Sequence, residues 1–217
     1  MSKVSLNNTV LEEWFYSAPV DSSAQIIPDG CRDIIIEQAN TGAIRCFISP
    51  LADATYTATI SQGTQLLGYR LQPGTSINEV GLQAFVDAVG NLQVIDADCL
   101  QSFCHSNASV NEALEGLRSE LPGLTSVAKS LGVSVRTLQR HIKIETGKTP
   151  QFWMMLVRAR RCARRLYQQV PFADAAYLSG YSDQAHMTRE MRKWFACTPS
   201  SIREKRLLAE IHASGYD

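Results

Sequence analysis

Two groups of polar side chains in the C-terminal half share one spacing. Arg136, Gln139, Arg140 and Lys143 surround Leu138 and Ile142, and Gln184, His186, Arg189, Arg192 and Lys193 surround Met187 and Met191. On a helix, those intervals turn the apolar residues inward and leave the polar ones outward. A guanidinium can grip the O6 and N7 of guanine as a fork, and a glutamine amide can do the same at adenine. Helix N-terminal N–H groups, with Ser or Thr, can hold phosphates. The outward faces therefore suit the edges and backbone of double-stranded DNA.

Other reactive residue types are present in weaker arrangements. Asp29, Cys31, Arg32 and Asp33 fall together, and a thiol beside an arginine could be an activated nucleophile. A hairpin turn with an ion pair explains the same residues, and we favour it. Cys99, Cys104 and His105 supply at most two or three ligands on one short segment without a partner pair, so no metal and no other cofactor is expected. The four histidines are 105, 141, 186 and 212, which leaves none for a metal site on the earlier strands. No phosphate-binding glycine loop, nucleophile elbow or HExxH occurs.

The six cysteines form no CxxC pair, which fits free thiols in a reduced cytoplasm. No run approaches the roughly 18 apolar residues of a membrane span, and residues 1–10 lack the pattern of an export signal, so a cytoplasmic, nucleoid-associated protein without a membrane partner is expected.

The formal net charge of zero over 217 residues hides a segregation. Residues 1–120 hold 5 Lys and Arg against 14 Asp and Glu; residues 121–217 hold 16 against 7. A basic half attracts a polyanion and an acidic half is repelled by one, so the two halves should have different partners.

The elements follow the same division. In the first half, strand-like runs at 25–27, 33–36, 43–49, 56–60 and 65–71 are separated by turn residues, which predicts antiparallel β structure. Ile77, Val80, Leu82, Phe85, Val86 and Val89 then recur at helical spacing up to Gly90, and 111–121 offers a short helix closed by Pro122-Gly123. Trp14, Phe15 and Tyr16 are expected in core packing rather than in a ligand pocket. The fold class is thus α+β in two domains, 1–120 and 121–217.

From Leu124 onward the chain predicts helices only. Thr125 and Ser126 are expected to cap the first and Gly132 to end it. Ser134 starts a second, and Thr149-Pro150 begins a long one reaching about 169. After Pro171 come helices at 173–179, 182–195 and 200 to about 212.

This region repeats itself. Ala128, Gly132 and Ser134 match Ala176, Gly180 and Ser182 at an offset of 48; Arg140, Lys143, Thr149 and Pro150 match Arg189, Arg192, Thr198 and Pro199 at 49. Each copy has the layout of a helix-turn-helix, with a small residue at the helix contact and a Gly at the turn. A connector of about 18 residues spans about 27 Å, against about 34–36 Å between successive major grooves on one face of DNA.

These residues resemble the DNA-binding domain of the AraC/XylS family of bacterial transcription regulators. The likeness rests on Leu124 to Ser134, on Leu138 to Pro150, on the arginine-rich Arg158 to Leu166, on Ala175 to Gln184, and on Lys193 to Arg203. It implies base contacts from Arg136, Gln139, Arg140, Gln184, Ala185, His186 and Arg189, with Ala185 limited to a thymine methyl or to no contact. The expected phosphate contacts are Ser134, Lys143, Lys148, Thr149, Ser182, Arg192 and Lys193. One departure is Ala196, where such domains commonly have Gly.

Trp14, Ile27 to Ile35, Ser49-Pro50 and Gly68 to Gly74 resemble a short sensing domain attached to such units, which implies a small cupin-like β fold and names no ligand. The expected function is a sequence-specific regulator, not an enzyme. A small-molecule effector and a homodimer remain open, and an activator would also meet RNA polymerase. The rival is a bifunctional protein whose first domain does enzymatic or thiol chemistry.

Overall fold

The computed structural model describes residues 9–90, 94–119, 123–204 and 215–217. The chain divides into two compact units. One takes residues up to Ala24, then Cys31–Pro50 and Thr59–Glu112; the other takes Gln25–Gly30, Leu51–Ala58 and Ala113–Asp217.

The first unit is built on antiparallel strands. β1 (Val10–Ser17), β3 (Asp33–Gln38), β4 (Ile44–Ile48) and β6 (Gln65–Leu71) form a four-stranded sheet in the order β1-β6-β3-β4. β2 (Ser22–Ile26) pairs with β5 (Tyr56–Ile60), and β7 (Ser76–Ile77) with β8 (Cys104–His105). The central strands are the most apolar: Ile34, Ile36, Tyr69 and Leu71 are buried, where a sheet covered by helices needs them.

The cover is α1 (Glu79–Val89), whose Leu82 and Val86 enter the same core with Ile95 and with Leu100 of α2 (Ala97–Gln101). Asn78 caps α1 and Gly90 ends it, one residue after the last apolar position of the predicted pattern. Tyr69 adds one polar tie, its hydroxyl donating to the Ile95 carbonyl at 2.6 Å, and burial holds that phenol protonated far above its usual range.

One expectation for this unit fails. The aromatic trio does not fill a core: it lies on β1, where Trp14 is half-buried while Phe15 is 61% and Tyr16 36% exposed. β1 is an edge strand with a register shift between Val10 and Glu12, so most of its side chains meet solvent on both faces. In the Asp29 to Asp33 turn, Arg70 reaches Asp33 at 3.4 Å, and Arg32 donates to the Thr75 carbonyl with Glu79 at 4.0 Å.

The second unit holds the helices: α3 (Ala108–Arg118, whose first turn belongs to the other unit), α4 (Gly123–Ser130), α5 (Val135–Thr146), α6 (Pro150–Tyr167), α7 (Phe172–Leu178), α8 (Gln184–Phe195) and α9 (Pro199–Arg203). α6 is the spine. Trp153, Leu156, Ala159, Cys162, Ala163 and Leu166 are fully buried along it, and α7, α8 and α9 pack on it. α4 begins at Gly123, so Thr125 and Ser126 lie inside the helix rather than at the position before it. The last helix is described to Arg203; the part expected to reach 212 lies outside the described residues, as does Leu121.

Chain segments from the first half complete this unit. Gly30 packs beneath Tyr216, Leu156 and Trp153, and the Asp29 carbonyl accepts from the Tyr216 N–H at 2.7 Å. The Tyr216 hydroxyl donates to the Leu114 carbonyl, and its ring meets Trp153 edge-on at 4.8 Å.

Candidate nucleic-acid interface

The two helix-turn-helix copies close their turns with the same hydrogen bonds. In the first, Gly132 N–H donates to Lys129 and Val133 N–H to Ala128; in the second, Gly180 donates to Tyr177 and Tyr181 to Ala176, all at 3.0–3.1 Å. Gly132 and Gly180 both sit at positive φ, +68° and +71°, which is what lets the second helix leave at a steep angle. Ala128 and Ala176 are buried at the contacts, as their small size requires.

The copies diverge one residue later. Ser134 caps α5, its Oγ accepting from Thr137 N–H at 3.1 Å. Asp183, not Ser182, caps α8, its carboxylate accepting from His186 N–H at 2.6 Å, which holds that carboxyl below the usual range. The extra residue of the second copy therefore lies between turn and cap. It frees Ser182 to bond His186 Nδ1 at 3.1 Å, while Tyr181 meets the imidazole edge-on at 5.2 Å.

Leu138 and Ile142 of α5 are buried, as are Met187, Met191, Trp194 and Phe195 of α8. This leaves Arg136, Gln139, Arg140 and Lys143 exposed on α5, with Gln184, Ala185, Arg189, Arg192 and Lys193 exposed on α8. Five residues of α8 line one shallow concavity of about 530 Å³: Gln184, Ala185, Thr188, Arg189 and Arg192. Thr188 was not expected there; its place one turn after Gln184 and beside Arg189 is the signal that could have found it. His186 points instead toward Ser182 and Tyr181.

Several cations are already engaged. Lys143 donates to the Gly147 carbonyl at 2.6 Å, Lys193 lies over the Trp194 ring, and Lys148 reaches Asp53 at 2.9 Å while lying over the Phe152 ring. Thr149 and Thr198 act as N-caps before Pro150 and Pro199, as the repeat predicts.

α8 ends on Ala196, at φ +52°, where α5 ends on Gly147 at +72°. A side chain in this left-handed region is strained. Ala196→Gly should therefore stabilise the fold by about 0.5–1 kcal/mol in urea unfolding, the relief of strain outweighing the added freedom of the unfolded chain. A lower midpoint would show that the Ala196 methyl contributes more than its strain costs.

Burial pushes the Cys46 and Cys104 thiols up to about 11 and raises Cys162 and Cys197 as well. Among the described residues, no group of three or more His, Cys, Asp or Glu is placed to hold a metal ion, and no helix is long and apolar enough to cross a membrane.

Residues 127–205 match the family described as "Helix-turn-helix domain". Those residues therefore carry a helix-turn-helix domain. The HTH-type transcriptional activator RhaS of Escherichia coli O139:H28 is 36% identical over 84 residues, covering 37% of this chain and 30% of that protein. RhaS of Citrobacter koseri is 31% identical over 113 residues, or 49% and 40%. The chain thus matches less than half the length of these curated relatives. Among solved structures, the C-terminal domain of AraT, a response regulator from Geobacillus stearothermophilus, is 26% identical with a TM-score of 0.42, covering 46% of this chain and 87% of that one.

Proposed function

We propose that this chain is a sequence-specific transcription regulator of the AraC type that reads duplex DNA with α5 and α8. The observation that carries this reading is the duplicated helix-turn-helix: equal turn closures, buried inner faces, and Arg and Gln exposed on both outer faces, in the basic half of the chain. Arg136, Gln139, Arg140, Gln184, Ala185, His186 and Arg189 are the base readers. Ser134, Lys143, Lys148, Thr149, Ser182, Arg192 and Lys193 meet phosphates. The functional division falls at 120/121, residues 1–120 sensing or dimerising and residues 121–217 binding DNA.

Control by a small molecule is the finer part of the reading. A groove of about 530 Å³ in the first unit, lined by Cys46, Phe47, Ile48, Leu82 and Gln83, has the size of a ligand seat. Glu79 and Asp87 also line it, so its mixed apolar and acidic wall would suit a small organic effector.

Selection from random duplexes at about 0.15 M salt should enrich two half-elements about one helical turn apart. On that site, Arg140→Ala or Arg189→Ala should each cost about 1–3 kcal/mol and relax preference at one position, while Lys143→Ala should weaken binding to every sequence alike. Equal losses on selected and random DNA for both arginine variants would remove them from the base-reading set.

A further inference from the structure

Residues 51–58, which follow β4 and run into the first residues of β5, belong to the helical unit. Two contacts fix this strap. The Thr55 N–H and Oγ1 both donate to the Trp194 carbonyl in the last turn of α8, at 3.1 and 2.9 Å. Two residues earlier, the Asp53 carboxylate accepts from Lys148 Nζ at 2.9 Å.

Lys148 directly follows Gly147, the residue that ends α5, and precedes the cap of α6. Its side chain is only 25% exposed, held between Asp53 and the Phe152 ring, while Asp53 itself is 72% exposed. Hydrogen bonding and attraction from Lys148, with a smaller attraction from Lys193, keep the Asp53 carboxyl below its usual range. Asp53 thus sits in the combined field of two lysines, one at the end of each reading helix, that are candidates for phosphate contact.

An anionic oxygen at hydrogen-bond distance from Lys148 is what a DNA phosphate would supply. We propose that the strap is a built-in competitor for the DNA backbone, with Asp53 standing where a phosphate would otherwise meet Lys148. The inference rests on the reading of this surface as a DNA interface. An exposed ion pair is weak, so the dense charge of a duplex displaces Asp53 and does so at a cost in affinity. Thr55 keeps the carboxylate in place through bonds that carry no charge. The consequence is a protein that grips non-specific DNA less well than its basic surface would allow.

The test uses the full chain and a labelled 25-base-pair duplex of arbitrary sequence at about 50 mM salt, where surface charges are poorly screened. Asp53→Asn, isosteric and exposed, should bind about threefold more tightly than the wild type, with the gain fading at about 0.3 M salt. In a Lys148→Ala background, the same change should give no gain, because the competitor has lost its target. Unchanged or weaker binding by Asp53→Asn, or an equal gain without Lys148, overturns the strap as competitor while leaving the DNA reading intact. Failure of both wild type and Asp53→Asn to bind this duplex or any selected one overturns the DNA reading and this inference with it.

Discussion

Trp153→Ala should lower the unfolding free energy by about 3–5 kcal/mol, a large share of the roughly 5–15 kcal/mol that holds an ordinary domain together. Trp153 is fully buried in the first turn of α6, and its indole N–H donates to Thr146 Oγ1 at 3.1 Å, joining the spine to the last turn of α5. Its ring also meets Phe152 at 5.4 Å and Tyr216 at 4.8 Å. Truncation removes all of these contacts and leaves a cavity bounded by three separate stretches of chain. Trp153→Phe keeps most of the volume and should lose far less. Urea unfolding followed by circular dichroism measures both, and a loss below about 1 kcal/mol for the alanine variant would mean that the site collapses freely.

Gly30→Ala should also be severe, and a second glycine separates its two causes. At Gly30, φ is +82°, and an added Cβ would stand 2.6 Å from Tyr216 Cβ and 3.1 Å from Leu156 and Trp153. At Gly42, φ is +84°, with nothing within 4 Å of the same atom. Gly42→Ala therefore bears the backbone strain alone, about 1–2 kcal/mol, and Gly30→Ala adds overpacking of about 1–3 kcal/mol more. If the two variants unfold at the same urea concentration, the packing of Gly30 against Tyr216 is not tight in solution.

Features coded by short-range chemistry could be read from the sequence. Thr149-Pro150 and Thr198-Pro199 begin helices because a cap and a fixed φ act locally, and Gly132, Gly147 and Gly180 end or turn them for the same reason. The inward faces of α5 and α8 followed from spacing alone. Misreadings arose where partners are distant in the chain. β1 mixes Glu12 and Glu13 with aromatics, a pattern that suits an edge strand and disguises it. The binding of Gly30 to Tyr216 and of Asp53 to Lys148 joins residues with no local signal to connect them. The helix expected from 182 begins at Gln184, because the inserted residue gives the cap to Asp183.

That one-residue insertion reaches further than helix geometry. α5 begins with a neutral hydroxyl and α8 with a carboxylate beside an imidazole, and the exposed sets differ as well, Arg136, Gln139 and Arg140 against Gln184, Ala185 and Arg189, so the proposed readers are chemically unlike. A protein carrying two unlike readers in fixed succession has a head and a tail on the duplex. Its site would not be a palindrome, and inverting that site beside a promoter would present the regulator facing the other way.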